Sequence, residues 1–151
     1  MRRALTALMA IAIVVVGCAK ALTPDEAYLL YMGEVNNHEM QAYNEALDRI
    51  FYSTQEGPWA ACVWVNNLEN ATKSLKNALE RAPKPLHPAL KKSHEYALQA
   101  MEDQLDGVKH FDKGCASMEA DEILIGVDYQ NEAAKLLVYA AAALAEYYKS
   151  Q

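Results

Sequence analysis

The sequence predicts an all-α protein, an antiparallel four-helix bundle. Three observations point there. Apolar residues recur at helical spacing over four long stretches. No stretch shows the period-two alternation of a half-buried strand. Six glycines and five prolines are few for 151 residues, and the prolines fall at the edges of the periodic stretches. Short connections between such helices favour antiparallel neighbours.

Thr23-Pro24-Asp25-Glu26 is a helix start. Thr23 can cap, Pro24 suits the first helical position, and Glu26 completes a capping box. The first helix is expected from Pro24 to about Gln55. Its stripe is Leu29, Met32, Met40, Tyr43, Leu47 and Ile50, with Asn36 as a polar interruption. Gly57-Pro58 ends it, and the second helix is expected from about Pro58. Trp64, Leu68, Ala71, Leu75, Ala78 and Ala82 form the second stripe, which stops at Pro83-Lys84-Pro85. The third helix starts near Pro88 with Leu90, His94, Ala97, Met101, Leu105 and Val108 inward. It is expected to end at Lys113-Gly114, with Gly114 as C-terminal cap. Ser117 is the expected cap of the fourth helix, with Glu119, Asp121 and Glu122 in its first turn. Ile123, Val127, Ala134, Leu137, Ala141, Leu144 and Tyr148 carry the last stripe. The alanine-rich "YAAAALAEYY" reads as close helix packing, since small side chains let backbones approach.

Fourteen basic residues face twenty acidic ones, for a net charge of −6. That balance argues against nucleic acid as a partner, because phosphate neutralisation needs a basic face. Nine tyrosines against two phenylalanines suggest packing in which hydroxyls reach the rim of the core.

The N-terminus has the layout of an export signal. Arg2 and Arg3 are followed by an uncharged, almost wholly apolar run, Ala4 to Val16. That run is short for a membrane span, which needs roughly 20 apolar residues, and suits a signal peptide. Val15-Val16-Gly17-Cys18 then resembles the lipobox of bacterial lipoproteins, with valine where the pattern favours leucine. The resemblance implies cleavage before Cys18 and acylation, palmitate included, at that cysteine. The alternatives are an uncleaved anchor, or an ordinary signal peptide that contains Cys18. On the lipoprotein reading, residues 1–17 are the signal peptide, 18–22 a short lipidated tether and 23–151 the bundle domain. Loss of Arg2 and Arg3 leaves twelve basic and twenty acidic residues, a net charge of −8. Ala19 is not the aspartate that the family's sorting rule associates with inner-membrane retention. The expected location is the extracytoplasmic face of a bacterial membrane, the outer one where two exist. Five residues from Cys18 to Thr23 reach about 17 Å at full extension, which keeps the domain close to the membrane.

Cys62 lies early in the second helix and Cys115 just past the third. An antiparallel hairpin puts them at the same end, and an exported protein meets an oxidising compartment. A Cys62–Cys115 disulfide is therefore expected, with a pair of free thiols as the alternative. No C-x-x-C argues for thiol catalysis.

Ligand patterns are sparse. No Glu-x-x-His of the di-iron type and no C-x-x-C-H haem motif occur. Glu34 with His38, and Asp106 with His110, are spaced i, i+4 and could each chelate a divalent ion. They read more simply as surface pairs. His94 lies on an apolar stripe and is a candidate haem ligand, with Met32, Met40 or Met101 as alternatives. The plainer expectation is a core histidine bonded to a tyrosine or to Asn36. Asn70-Ala71-Thr72 fits a glycosylation pattern that reads as incidental in a bacterial lipoprotein. No G-x-S-x-G or glycine-rich phosphate loop appears. "PLHPAL" followed by "KKSHEYAL" resembles helical domains of bacterial secreted proteins and lipoproteins to which no activity is attached. Neither a cofactor nor enzymatic activity is expected. The expected role is a membrane-tethered binding or structural module of the cell envelope, with an envelope protein as possible partner. The alternative is a metal- or haem-binding bundle for sensing or electron transfer.

Overall fold

A computed structural model describes residues 21–57 and 59–151. The expected signal peptide, Cys18 and Pro58 lie outside the described residues. The fold is all helical. Helix α1 (Pro24–Val35) passes through a π-helical turn (Asn36–Met40) into α2 (Gln41–Thr54). A 3₁₀ turn (Ala60–Trp64) leads into α3 (Val65–Arg81). Two helices of 30 residues each, α4 (Pro88–Ser117) and α5 (Ala120–Lys149), complete the bundle.

The capping box at Thr23 forms as the sequence dictates. The Thr23 N–H donates to Glu26 Oε2 at 2.7 Å, and Glu26 N–H donates to Thr23 Oγ1 at 3.2 Å. The π-helical turn occupies the polar interruption at Asn36. It also resets the stripe. Val35 and Met40 are both buried although five residues apart, a spacing that the extra residue of a π-helical turn accommodates. Beyond it Tyr43, Ala46 and Ile50 continue inward.

The second helix begins later than expected. Neither Trp59 nor Trp64 supplies a side-chain cap, and Cys62 is bonded to Cys115, so the chain forms a 3₁₀ turn before α-helical geometry starts at Val65. Leu68, Leu75 and Ala78 are buried as expected, joined by Val65, Thr72 and Leu79. Thr72 is tolerated inside because its hydroxyl donates to the Leu68 carbonyl at 2.7 Å. Ala82 turns extended (ψ 142°) ahead of Pro83 and stops the helix.

The turn between α4 and α5 lies further along than expected. Gly114 is inside α4, with the open space of its missing Cβ taken by Ile123. The left-handed cap is Met118 (φ 59°), and Ser117 is the last residue of α4, its hydroxyl donating to Lys113 O. Glu119, not Ser117, precedes the first turn of α5. Ile123 and Leu137 are buried as expected, and the other positions of the α5 stripe are shifted by one residue, with Gly126 buried in place of Val127. Ala133, Ala140, Ala143 and Tyr147 are buried, whereas Ala134 and Tyr148 are exposed. α4 approaches closely there, with Gly107 against Gly126 and Tyr129.

Cross-helix contacts give the directions. His87, Tyr96 and Gly107 on one side meet Tyr147, Tyr139 and Tyr129 on the other, so α4 and α5 run oppositely. Lys76 reaches Glu102, and Cys62 joins Cys115, which sets α3 against α4 in the same sense. Tyr43, Phe111, Ile50, Leu68, Leu75, Leu79, Leu90 and Met101 are the large side chains sealed in the core. Each contributes about 1.5–3 kcal/mol by leaving water.

Candidate functional site

The cysteine pair forms the expected bond. Cys62 and Cys115 are joined with their Cα atoms 5.7 Å apart. The link ties the 3₁₀ turn to the last turns of α4.

Beside it, α5 reaches back onto α4. Glu122 Oε2 lies 2.7 Å from His110 Nδ1, and its other oxygen accepts from Lys113 Nζ. The Lys113 ammonium, then His110, hold the Glu122 carboxyl below the usual carboxylate range. The His110 ring also stacks on Tyr129, centroids 5.5 Å apart and planes within 15°. The Asp106–His110 pair read from the sequence is therefore split. Asp106 takes Lys109 at 2.5 Å, and His110 takes Glu122. A carboxylate-oriented imidazole is one component of general-base catalysis. Here no hydroxyl or thiol is hydrogen-bonded to it among the described residues. Glu34 and His38 are both exposed, one at the end of α1 and one in the π-helical turn. Among the described residues no group of three or more His, Cys, Asp or Glu side chains is placed to hold a metal.

His94 is half-buried and meets the Tyr28 ring at 84°, centroids 5.6 Å apart. Its Nδ1 is buried without a hydrogen-bond partner, so the expected bond to a tyrosine or Asn36 is not made. Burial pushes the imidazole pKa down, against a smaller opposing effect of Glu95. Met101 and Met40 are packed in the core and Met32 is half-buried. The buried tyrosine that does find a partner is Tyr43, whose hydroxyl donates to Gln104 Oε1 at 3.0 Å. Gln104 went unnoticed in the sequence because a lone glutamine between Asp103 and Leu105 carries no signal of burial. The glycosylation pattern is closed off, since Thr72 is fully buried within α3.

The opposite end of the bundle gathers four helix termini. Tyr28, Ala82, Leu90 and Tyr147 form one small apolar cluster there. Asp25 Oδ1 accepts from the backbone N–H of Leu86 (2.6 Å) and of His87 (3.1 Å), pinning the α3–α4 loop to the start of α1. The His87 ring caps α4, its Nδ1 accepting from Ala89 N–H, and rests against Tyr147.

Comparison with protein-family models, curated proteins and solved structures finds no match to this chain. The functional reading rests on the residues themselves.

Proposed function

We propose that this chain is a lipoprotein of the bacterial cell envelope, tethered through Cys18, whose helical bundle serves as a binding or structural module without catalytic activity. The observation that carries the reading is the division of the three cysteines. Cys62 and Cys115 take each other in a disulfide, a bond that persists in extracytoplasmic compartments. Cys18 is left over, directly after the apolar run and Gly17. A leftover cysteine at that position suits acylation. The capping box at Thr23 supports a short tether, because the fold starts five residues on.

The test is the intact mass of the N-terminal peptide of full-length protein from bacterial membranes. The expected peptide starts at Cys18 and carries diacylglycerol on its sulfur. The Cys18→Ala variant should lack that mass and retain residues 1–17. A wild-type chain that keeps Met1 and an unmodified Cys18 overturns the tether. Co-purifying haem or a stoichiometric metal would replace the binding-module reading with a cofactor-binding one.

A further inference from the structure

We propose that the end of the bundle where α1 begins lies on an anionic lipid surface, with Leu22 and Leu86 against the bilayer and Lys84, Lys91 and Lys149 among its headgroups. The inference rests on the tether proposed above, and adds an orientation and a lipid charge.

The residues are brought together by the fold. Asp25 holds the loop at Leu86 and His87, and His87 meets Tyr147. Leu22 is three residues before Asp25, about 10 Å of chain at most. Lys84 is two residues before Leu86, Lys91 is in the first turn of α4, and Lys149 is two residues after Tyr147. Leu22 and Leu86 are 47% and 61% exposed, large values for leucines held in place by neighbouring hydrogen bonds. Tyr148, also exposed, adds an aromatic ring of the kind enriched where hydrocarbon meets water.

The lysines differ from the others of the bundle. Lys73, Lys76, Lys109, Lys113 and Lys135 are each in an ion pair with a carboxylate. Lys92 sits over the Tyr96 ring. Lys84, Lys91 and Lys149 have neither kind of partner among the described residues. Of the carboxylates at this end, Asp25 is engaged by two backbone N–H groups, Glu26 accepts from the Thr23 N–H, and exposed Glu146 is in no ion pair with Lys149. An unpaired ammonium keeps its full attraction for lipid phosphate. The opposite end carries Glu119 and Asp121, beside Glu122 paired with Lys113 and His110. A chain of net negative charge is repelled as a whole by anionic lipid, so attraction requires this face to turn toward it. The route of the chain agrees. Residues 18–22 lead into Thr23 at this same end, so a lipid on Cys18 brings this face within about 17 Å of the surface.

The test reconstitutes the full chain into phosphatidylcholine vesicles, with and without about a quarter phosphatidylglycerol. Lysine acetylation is followed site by site by mass spectrometry, and vesicle flotation is measured in parallel. On phosphatidylglycerol vesicles Lys84, Lys91 and Lys149 should acetylate about fivefold more slowly, the factor expected for a lysine held at an anionic surface. Lys73 and Lys135 should not change, and high salt should remove the difference. Flotation without slowing of the three lysines overturns the inference and leaves the tether standing. Failure to float overturns both. Equal slowing on neutral vesicles removes the anionic lipid, and slowing without vesicles assigns the face to a second copy of the chain. Either result overturns the proposal.

Discussion

At the scale of single residues, His94 couples the fold to pH. Its ring is half-buried beside Tyr28 and its Nδ1 has no partner, so the folded state disfavours the proton. The folded-state pKa is therefore below the ordinary value of 6.5. The unfolded chain binds the proton more readily, so this contribution is fully present above about pH 6.5 and is lost as pH falls through the lowered value. His94→Phe should flatten that dependence. Urea midpoints measured from about pH 7.5 to 5 should fall less in the variant than in the wild type; parallel curves would assign the dependence elsewhere. The position of His94 on an apolar stripe was legible in the sequence. Its missing hydrogen bond was not. Which face of a neighbouring tyrosine meets a histidine depends on how two helices are rotated, and periodicity does not carry that rotation. The same holds for His110, whose partner Glu122 is twelve residues away across a turn.

At the scale of helices, the α4–α5 contact is built on missing side chains. A Cβ on Gly107 would lie 2.9 Å from Tyr129 Cβ and 3.0 Å from the Gly126 carbonyl oxygen. Both are backbone or next to it, so neither can swing away. Gly107→Ala should therefore destabilise by about 1–3 kcal/mol, although alanine is the better helix former by about 1 kcal/mol. Gly33→Ala is the contrast, because nothing lies within 4 Å of its Cβ position. That variant should gain up to about 1 kcal/mol. Urea denaturation of the pair checks both signs. If both variants gain stability, the helices are not in backbone contact at Gly107. The four helical stretches and the Thr23 cap were legible because propensity, periodicity and capping chemistry agree there. The one-residue shift in α5 was not. In an alanine-rich helix hydrophobicity is nearly even around the axis. The π-helical turn showed in the sequence only as the polar break at Asn36.

For the whole molecule, the disulfide dominates the connectivity. It joins residues 53 positions apart, and in the chain-entropy account such a link stabilises by about 4 kcal/mol. A Cys62→Ser/Cys115→Ser variant should lose about that much, read as a lower denaturant midpoint for the double variant than for the oxidised wild type. Equal midpoints would mean that the native link carries offsetting strain. The pairing was legible because hairpin geometry and the expectation of export pointed to it independently. The gathering of lysines at the other end was not, because it depends on Asp25 holding a loop some sixty residues away. The bond has one more consequence. α3, the loop at 83–87, α4 and the disulfide form a closed covalent ring, while α1, α2 and α5 hang from it as arms. Arg81, exposed at the end of α3 and followed by Ala82, offers a trypsin site within that ring. A single cut there opens the ring without dividing the protein, so the two fragments migrate as one species until a reductant is added.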